Sequence, residues 1–142
     1  MKELEYKIEI LATPDKIWLV LWGDITYQQW TTAFTEGSFY IGDFEEGSIM
    51  KFMDPKNNGM YSKVIKNVTN EMMIFQHLGE IYDGVEVPQN WGDATETYTL
   101  LETENGTRLT IKAKTTEEFV SFFEENIPKA MHIIKNLSEN QL

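Results

Sequence analysis

The segment Tyr6-Lys7-Ile8-Glu9-Ile10-Leu11-Ala12-Thr13-Pro14-Asp15-Lys16-Ile17-Trp18 restricts the possible folds of this chain more than any other. Tyr6, Ile8 and Ile10 alternate with Glu5, Lys7 and Glu9, the period-2 pattern of a strand with one wet face. Thr13 suits a helix N-cap. Pro14 suits the first turn, where no amide donor is needed, and Asp15 complements the helix dipole. Ile17, Trp18, Val20 and Leu21 continue as an apolar stripe of helical period. A strand therefore runs straight into a Pro-started helix.

Turn chemistry divides the middle of the chain. Gly23 ends the first helix, and Thr26-Tyr27-Gln28-Gln29 has capping-box spacing for a second, short helix holding Trp30 and Phe34. From there to Lys114 the breaks fall at Gly42-Asp43, Glu46-Gly47, Asp54-Pro55 with Asn57-Asn58-Gly59, Asn67 to Asn70, Asp83-Gly84 and Asn105-Gly106. Asn105-Gly106 is the strongest tight-hairpin signal among them. Six strands between two helical regions, joined by short connections, predict an antiparallel meander. Its inward faces carry Met50 and Phe52; Met73, Phe75 and His77; Glu96, Tyr98 and Leu100; and Leu109, Ile111 and Ala113. Ile74 and Leu78 break the alternation of their strand.

The last segment predicts a helix over 116–138. Thr115-Thr116-Glu117-Glu118 reads as a capping box, and Phe119, Phe122, Phe123, Ile127, Ala130, Met131, Ile134 and Leu137 keep helical spacing. Pro128 removes one backbone bond and predicts a kink near Glu124 to Ile127.

At 142 residues and 42% hydrophobic content, one domain spanning 1–142 with a substantial core is expected. No apolar run approaches the ~20 residues of a membrane span, and Met1-Lys2-Glu3-Leu4-Glu5 is not a signal peptide, which places the chain in the cytoplasm. Twelve basic against 23 acidic residues, a net charge of −11, argue against nucleic acid and anionic membranes as partners. With no cysteine, thiolate metal sites and cysteine nucleophiles are excluded. His77 and Glu80 lie three apart on a strand and point to opposite faces, and His132 has no nearby ligand, so no metal is expected. No serine sits in a nucleophile elbow, and no phosphate loop or dinucleotide fingerprint occurs, so no cofactor is expected either.

The order strand, two short helices, meander and long C-terminal helix resembles the START-like (SRPBCC, helix-grip) superfamily. More narrowly it is similar to the domain called activator of heat-shock-protein-90 ATPase homologue. The residues that carry the likeness are Ala12 to Trp18 and Trp30; Gly47, Gly59, Asn70-Glu71-Met72-Met73-Ile74-Phe75 and Gly106-Thr107-Arg108-Leu109; and Pro128-Lys129-Ala130-Met131 with Ile134-Lys135-Asn136-Leu137. The resemblance implies an α+β helix-grip fold, a curved antiparallel sheet of about seven strands gripping the last helix around a hydrophobic cavity. The family's eukaryotic co-chaperones carry a further N-terminal domain that 1–142 does not include, so chaperone activation is not implied.

Three functions suit such a chain. The first is non-enzymatic binding of a small, mostly apolar molecule, with Phe52, Phe75, His77, Trp91, Glu96, Tyr98, Phe119, Phe123 and Met131 lining the site. Tyr82 to Gly92 is then a long irregular lid with Trp91 as its plug. The second is a cyclase- or dehydratase-type enzyme that transfers protons through His77, Glu96 and Tyr98, which neighbouring strands would bring together. The third is a protein-interaction module with a chaperone partner. A dominant cavity holding a buried acid–histidine contact would favour the enzyme. A dry apolar cavity would favour binding, and a filled cavity beside an exposed aromatic patch would favour interaction.

Overall fold

A computed structural model of the chain describes residues 1–140. Strand β1 (Lys2–Ile10) leads to helix α1 (Pro14–Trp22), helix α2 (Asp24–Trp30) and a 3-10 turn (Thr31–Ala33). The meander comprises β2 (Phe39–Ile41), β3 (Ile49–Met53), β4 (Gly59–Val68), β5 (Met72–Tyr82), β6 (Val85–Pro88), β7 (Thr95–Glu102) and β8 (Thr107–Thr115). A second 3-10 turn (Glu117–Phe119) opens into helix α3 (Val120–Glu139). Seven strands form one antiparallel path, β1-β8-β7-β5-β4-β3-β2, and β6 pairs with β5 beside it. The fold is the α+β helix grip.

The eighth strand corrects the reading of 82–92 as irregular throughout. Asp83 (φ 50°) and Gly84 (φ 81°) both sit in the left-handed region between the paired residues Tyr82 and Val85. That is a two-residue type I′ turn, whose twist matches the flanking strands. The Asn105-Gly106 turn is built differently. Thr103 N–H donates to Gly106 O at 2.8 Å across a wider loop, and neither Asn105 nor Gly106 has positive φ. Gly106 is there for proximity, since a Cβ would lie 2.3 Å from the carbonyl oxygen of Ile10.

Alternation holds along the strands that form the floor of the structure. Met73, Phe75, His77 and Ile81 of β5 are buried, as are Tyr98 and Leu100 of β7 and Leu109, Ile111 and Ala113 of β8. Cross-strand pairing aligns them into rows, Met73 with Tyr98 and Ile111, and Phe75 with Glu96 and Ala113. The β4–β5 register shifts between Tyr61 and Ser62, where Gly79 and His77 are the successive partners. Leu78 is thus the extra residue of a β-bulge, and the break in parity falls on β4, where Tyr61 and Ser62 are both buried.

Helix α3 packs against β1, α1 and α2 through Ile127, Ala130, Met131 and Ile134, all buried. Its end is tied to β1: Lys135 Nζ donates to Glu9 O at 2.8 Å, and Leu11 N–H donates to Glu139 Oε2 at 2.8 Å. The helix is unbroken through Pro128. Neither expected capping box forms. Thr116 makes no side-chain bond to the helix amides, and Thr26 lies inside α2, where its hydroxyl donates to Leu19 O and Gly23 O. Gly23 is pressed against α1, with space for a Cβ blocked by Leu19 O at 2.6 Å, so the two helices meet at a close corner.

Candidate functional site

The inward parity of β5 and β7 brings His77 and Glu96 to one face, and their side chains meet. His77 Nε2 lies 3.1 Å from Glu96 Oε1, with the two side chains 7% and 15% exposed. Tyr98 Oη donates to Glu96 Oε2 at 2.8 Å. On the other side of the imidazole, His77 Nδ1 lies 2.7 Å from the hydroxyl of Ser62, which is wholly buried on β4. A continuous polar row, Ser62–His77–Glu96–Tyr98, therefore crosses three strands. His77 also donates its amide to Ala94 O at 2.9 Å, which locks its backbone to the start of β7.

The row is electrostatically set. Burial acts to raise the Glu96 carboxyl, but hydrogen bonds from His77 and Tyr98, together with the His77 charge, outweigh it and hold the group below its ordinary range. Burial, and after it the charge of Glu96, pushes the Tyr98 hydroxyl well above the ordinary phenol value. The same two causes raise Tyr27 of α2. Glu96 is thus an acceptor among neutral phenols.

Around this row lies an open pocket of about 340 Å³. Its floor is the sheet, with Phe52, Phe75, His77, Glu96 and Tyr98 among the lining residues. One wall comes from the α1–α2 corner and the turn after it, with Trp22, Tyr27, Trp30 and Phe34. Phe119, Phe122 and Phe123, at the start of α3, form the other, and Trp91 and Ala94 close one side. Trp30 is fixed by its indole N–H, which donates to Leu21 O at 3.0 Å. Trp22 sits edge-on to Phe75 and Tyr98, with ring centroids 5.5 and 5.0 Å away, and its N–H has no oxygen or nitrogen partner. Such edge-to-face pairs add about 0.5–1.5 kcal/mol each beyond area burial. Phe122 is 43% exposed and stands at the rim against Phe34, with centroids 5.8 Å apart.

The pocket gathers eight of the nine residues expected at the site: Phe52, Phe75, His77, Trp91, Glu96, Tyr98, Phe119 and Phe123. Met131 is not among them. It is 3% exposed, two turns further along α3, and belongs to the packed core with Ile127 and Ile134. Of the segment expected as a lid, the part between β6 and β7 is irregular, and there Trp91 is buried edge-on to Phe119 at 5.6 Å. Two contributions escaped sequence reading. Ser62 lacks any nucleophile motif, and its partnership with His77 results from the bulge. The α1–α2 corner adds Trp22 and Tyr27, which no sequence signal assigned to the site, beside Trp30 and Phe34. Among the described residues, no group of three or more metal-ligating side chains converges, and no helix is long and apolar enough to cross a membrane.

A search of the curated proteins found no match. Among solved structures, the Aha1 dimer of Colwellia psychrerythraea superposes with a TM-score of 0.78 at 23% identity, covering 99% of this chain and 98% of that one. A protein of Mesorhizobium loti gives 0.76 at 13% identity over 96% of both chains. A protein of Chromobacterium violaceum gives 0.74 at 14% identity over 99% of this chain and 100% of its own. These likenesses are of fold. The family model described as Activator of Hsp90 ATPase homolog 1-like protein matches residues 11–139, which takes in α1, the whole meander and α3. The chain belongs to that family.

Proposed function

We propose that this domain binds a small, mostly apolar molecule in the pocket above the sheet. The observation that carries the reading is the open volume of about 340 Å³ bounded by aromatic rings from three separate parts of the chain. A core of this composition ordinarily closes to native density, because unfilled space forfeits dispersion contacts. Here the rings pair with one another around the space instead, and the members of the polar row Ser62–His77–Glu96–Tyr98 hold one another in place. Apolar walls with a few fixed polar groups are the usual make-up of a ligand site. N-phenylnaphthylamine, a neutral apolar fluorophore, should bind with a blue shift and quench tryptophan emission. Native mass spectrometry of freshly purified protein should show a co-purifying small molecule. Failure of both refutes the reading.

The His77–Glu96 contact favours a second reading, proton-transfer chemistry of the cyclase or dehydratase kind. Against it, both imidazole nitrogens and both carboxylate oxygens already have partners within the row, which suits anchoring better than proton exchange with a substrate. A product differing in mass from the molecule supplied, lost in His77→Gln, would establish the enzyme instead. Family membership is also compatible with a chaperone-associated role. The dimer named for the Colwellia relative makes self-association of this chain a further possibility for sedimentation to test.

A further inference from the structure

We propose that the molecule held in the pocket carries a cationic amine head, which docks on Glu96 among the rings of Tyr27, Trp30 and Tyr98. The inference rests on the binding reading above and narrows its ligand.

Charge balance in the pocket carries it. Among the described residues, the lining includes three carboxylates, Asp54, Glu80 and Glu96, and no lysine or arginine. Asp54 is committed to its own turn, where Oδ1 accepts the amides of Lys56 and Asn58 at 2.8 and 3.0 Å. Glu80 is bonded by the Tyr82 hydroxyl. Glu96 is the acid set deep among the aromatics. Each of its oxygens takes one donor, from His77 or from Tyr98, and a carboxylate oxygen has capacity for a second. Among the described residues of the lining, His77 is the sole group able to carry positive charge, and its two nitrogens are engaged with Ser62 and Glu96. An anionic head would therefore meet like charge with no free cation opposite it. A neutral apolar head would leave the remaining acceptor capacity of a buried carboxylate unused.

The rings suit a cation as well. Tyr27 and Trp30 meet edge to face at 5.3 Å, Trp30 and Tyr98 stand 6.4 Å apart, and Tyr98 bonds Glu96 directly, so the aromatic lining of the pocket reaches the carboxylate. Ammonium groups are attracted to such faces by the ring quadrupole, most strongly where water is excluded. Glu96 is one of the causes that raise Tyr27 and Tyr98, which keeps both phenols neutral beside the carboxylate. A carboxylate beside aromatic rings in one pocket is chemistry that recognises amines. The chain's net charge of −11 would also draw cations toward it.

Three probes with one skeleton test the proposal: phenylbutylamine, phenylbutanol and phenylbutyrate, each titrated by displacement of N-phenylnaphthylamine. The amine should bind about tenfold more tightly than the alcohol and the carboxylate more weakly than either, the scale of one charge-assisted contact after desolvation. In Glu96→Gln the amine and alcohol affinities should converge, and retained alcohol binding certifies that the pocket is still formed. The ranking of the three probes on the unmodified chain decides the matter if that variant does not fold. Equal affinities, or a preference for the carboxylate, overturn the amine inference and leave the pocket reading standing. A fluorophore that binds but is displaced by none of the three overturns the amine inference alone, and absence of fluorophore binding together with absence of a co-purifying molecule overturns both.

Discussion

Phe123→Ala and Met131→Ala should have very different costs, although both residues lie on the inward stripe of α3. Phe123 is half-buried and lines the open pocket, whereas Met131 is 3% exposed in the core. Fully burying such a side chain is worth about 1.5–3 kcal/mol, so truncating a half-buried ring forfeits about 0.8–1.5 kcal/mol. Removing a packed ring of about 100 Å³ would add roughly 2.4 kcal/mol more for the cavity left, at about 24 cal/mol per Å³. At Phe123 that second contribution is absent, because the ring already borders open space. Met131→Ala bears both and should cost about 2–5 kcal/mol. Urea denaturation followed by circular dichroism measures the two, and N-phenylnaphthylamine titration adds that Phe123→Ala changes probe affinity while Met131→Ala does not. Equal destabilisation by the two variants would refute the assignment of Phe123 to a pocket wall.

Glu96 gives a pH signature. Its carboxyl is held below the ordinary value in the folded chain, so its contribution is fully present above about pH 4.3 and is lost as pH falls through the lower folded value. Thermal melts across that acid range should show a shallower loss in Glu96→Gln, and an unchanged slope would contradict the account of the row. Ser62→Ala leaves His77 Nδ1 buried without its partner and should cost about 1–3 kcal/mol by denaturant unfolding. Trp91→Ala removes the ring that closes on Phe119 and should speed probe release about tenfold in stopped-flow displacement, mostly through the off-rate.

Strand parity makes the floor of the site legible in the sequence. It puts Phe75, His77, Glu96 and Tyr98 on one face, and the His77–Glu96 contact is a consequence of that parity once β5 and β7 are neighbours. Parity breaks at a bulge, which is why Ser62 was not paired with His77: the shift between Tyr61 and Ser62 is a property of two strands together. Turn dipeptides were similarly ambiguous. Asp83-Gly84 makes the tight hairpin and Asn105-Gly106 the wider one, the latter pressed against β1 at Ile10. Helical period identifies a face and says nothing of where along it a pocket stops. Phe123 and Met131 share the stripe but stand about 12 Å apart at 1.5 Å per residue, far enough for one to border space and the other to fill it. The α1–α2 wall depended on a close helix corner at Gly23, a tertiary fact that local capping signals at Thr26 did not convey.

Isotope-edited NOE spectroscopy of the labelled chain with unlabelled N-phenylnaphthylamine tests the central claim most directly, because it reads which protons touch the bound molecule. Contacts to Trp30, Phe34, Phe75 and Phe123 are predicted, since these side chains come from the floor and both walls of the pocket. Contacts confined to exposed apolar residues such as Ile41, Ile49 and Ile65, or no intermolecular contacts at saturating probe, would contradict the assignment of this pocket as the binding site.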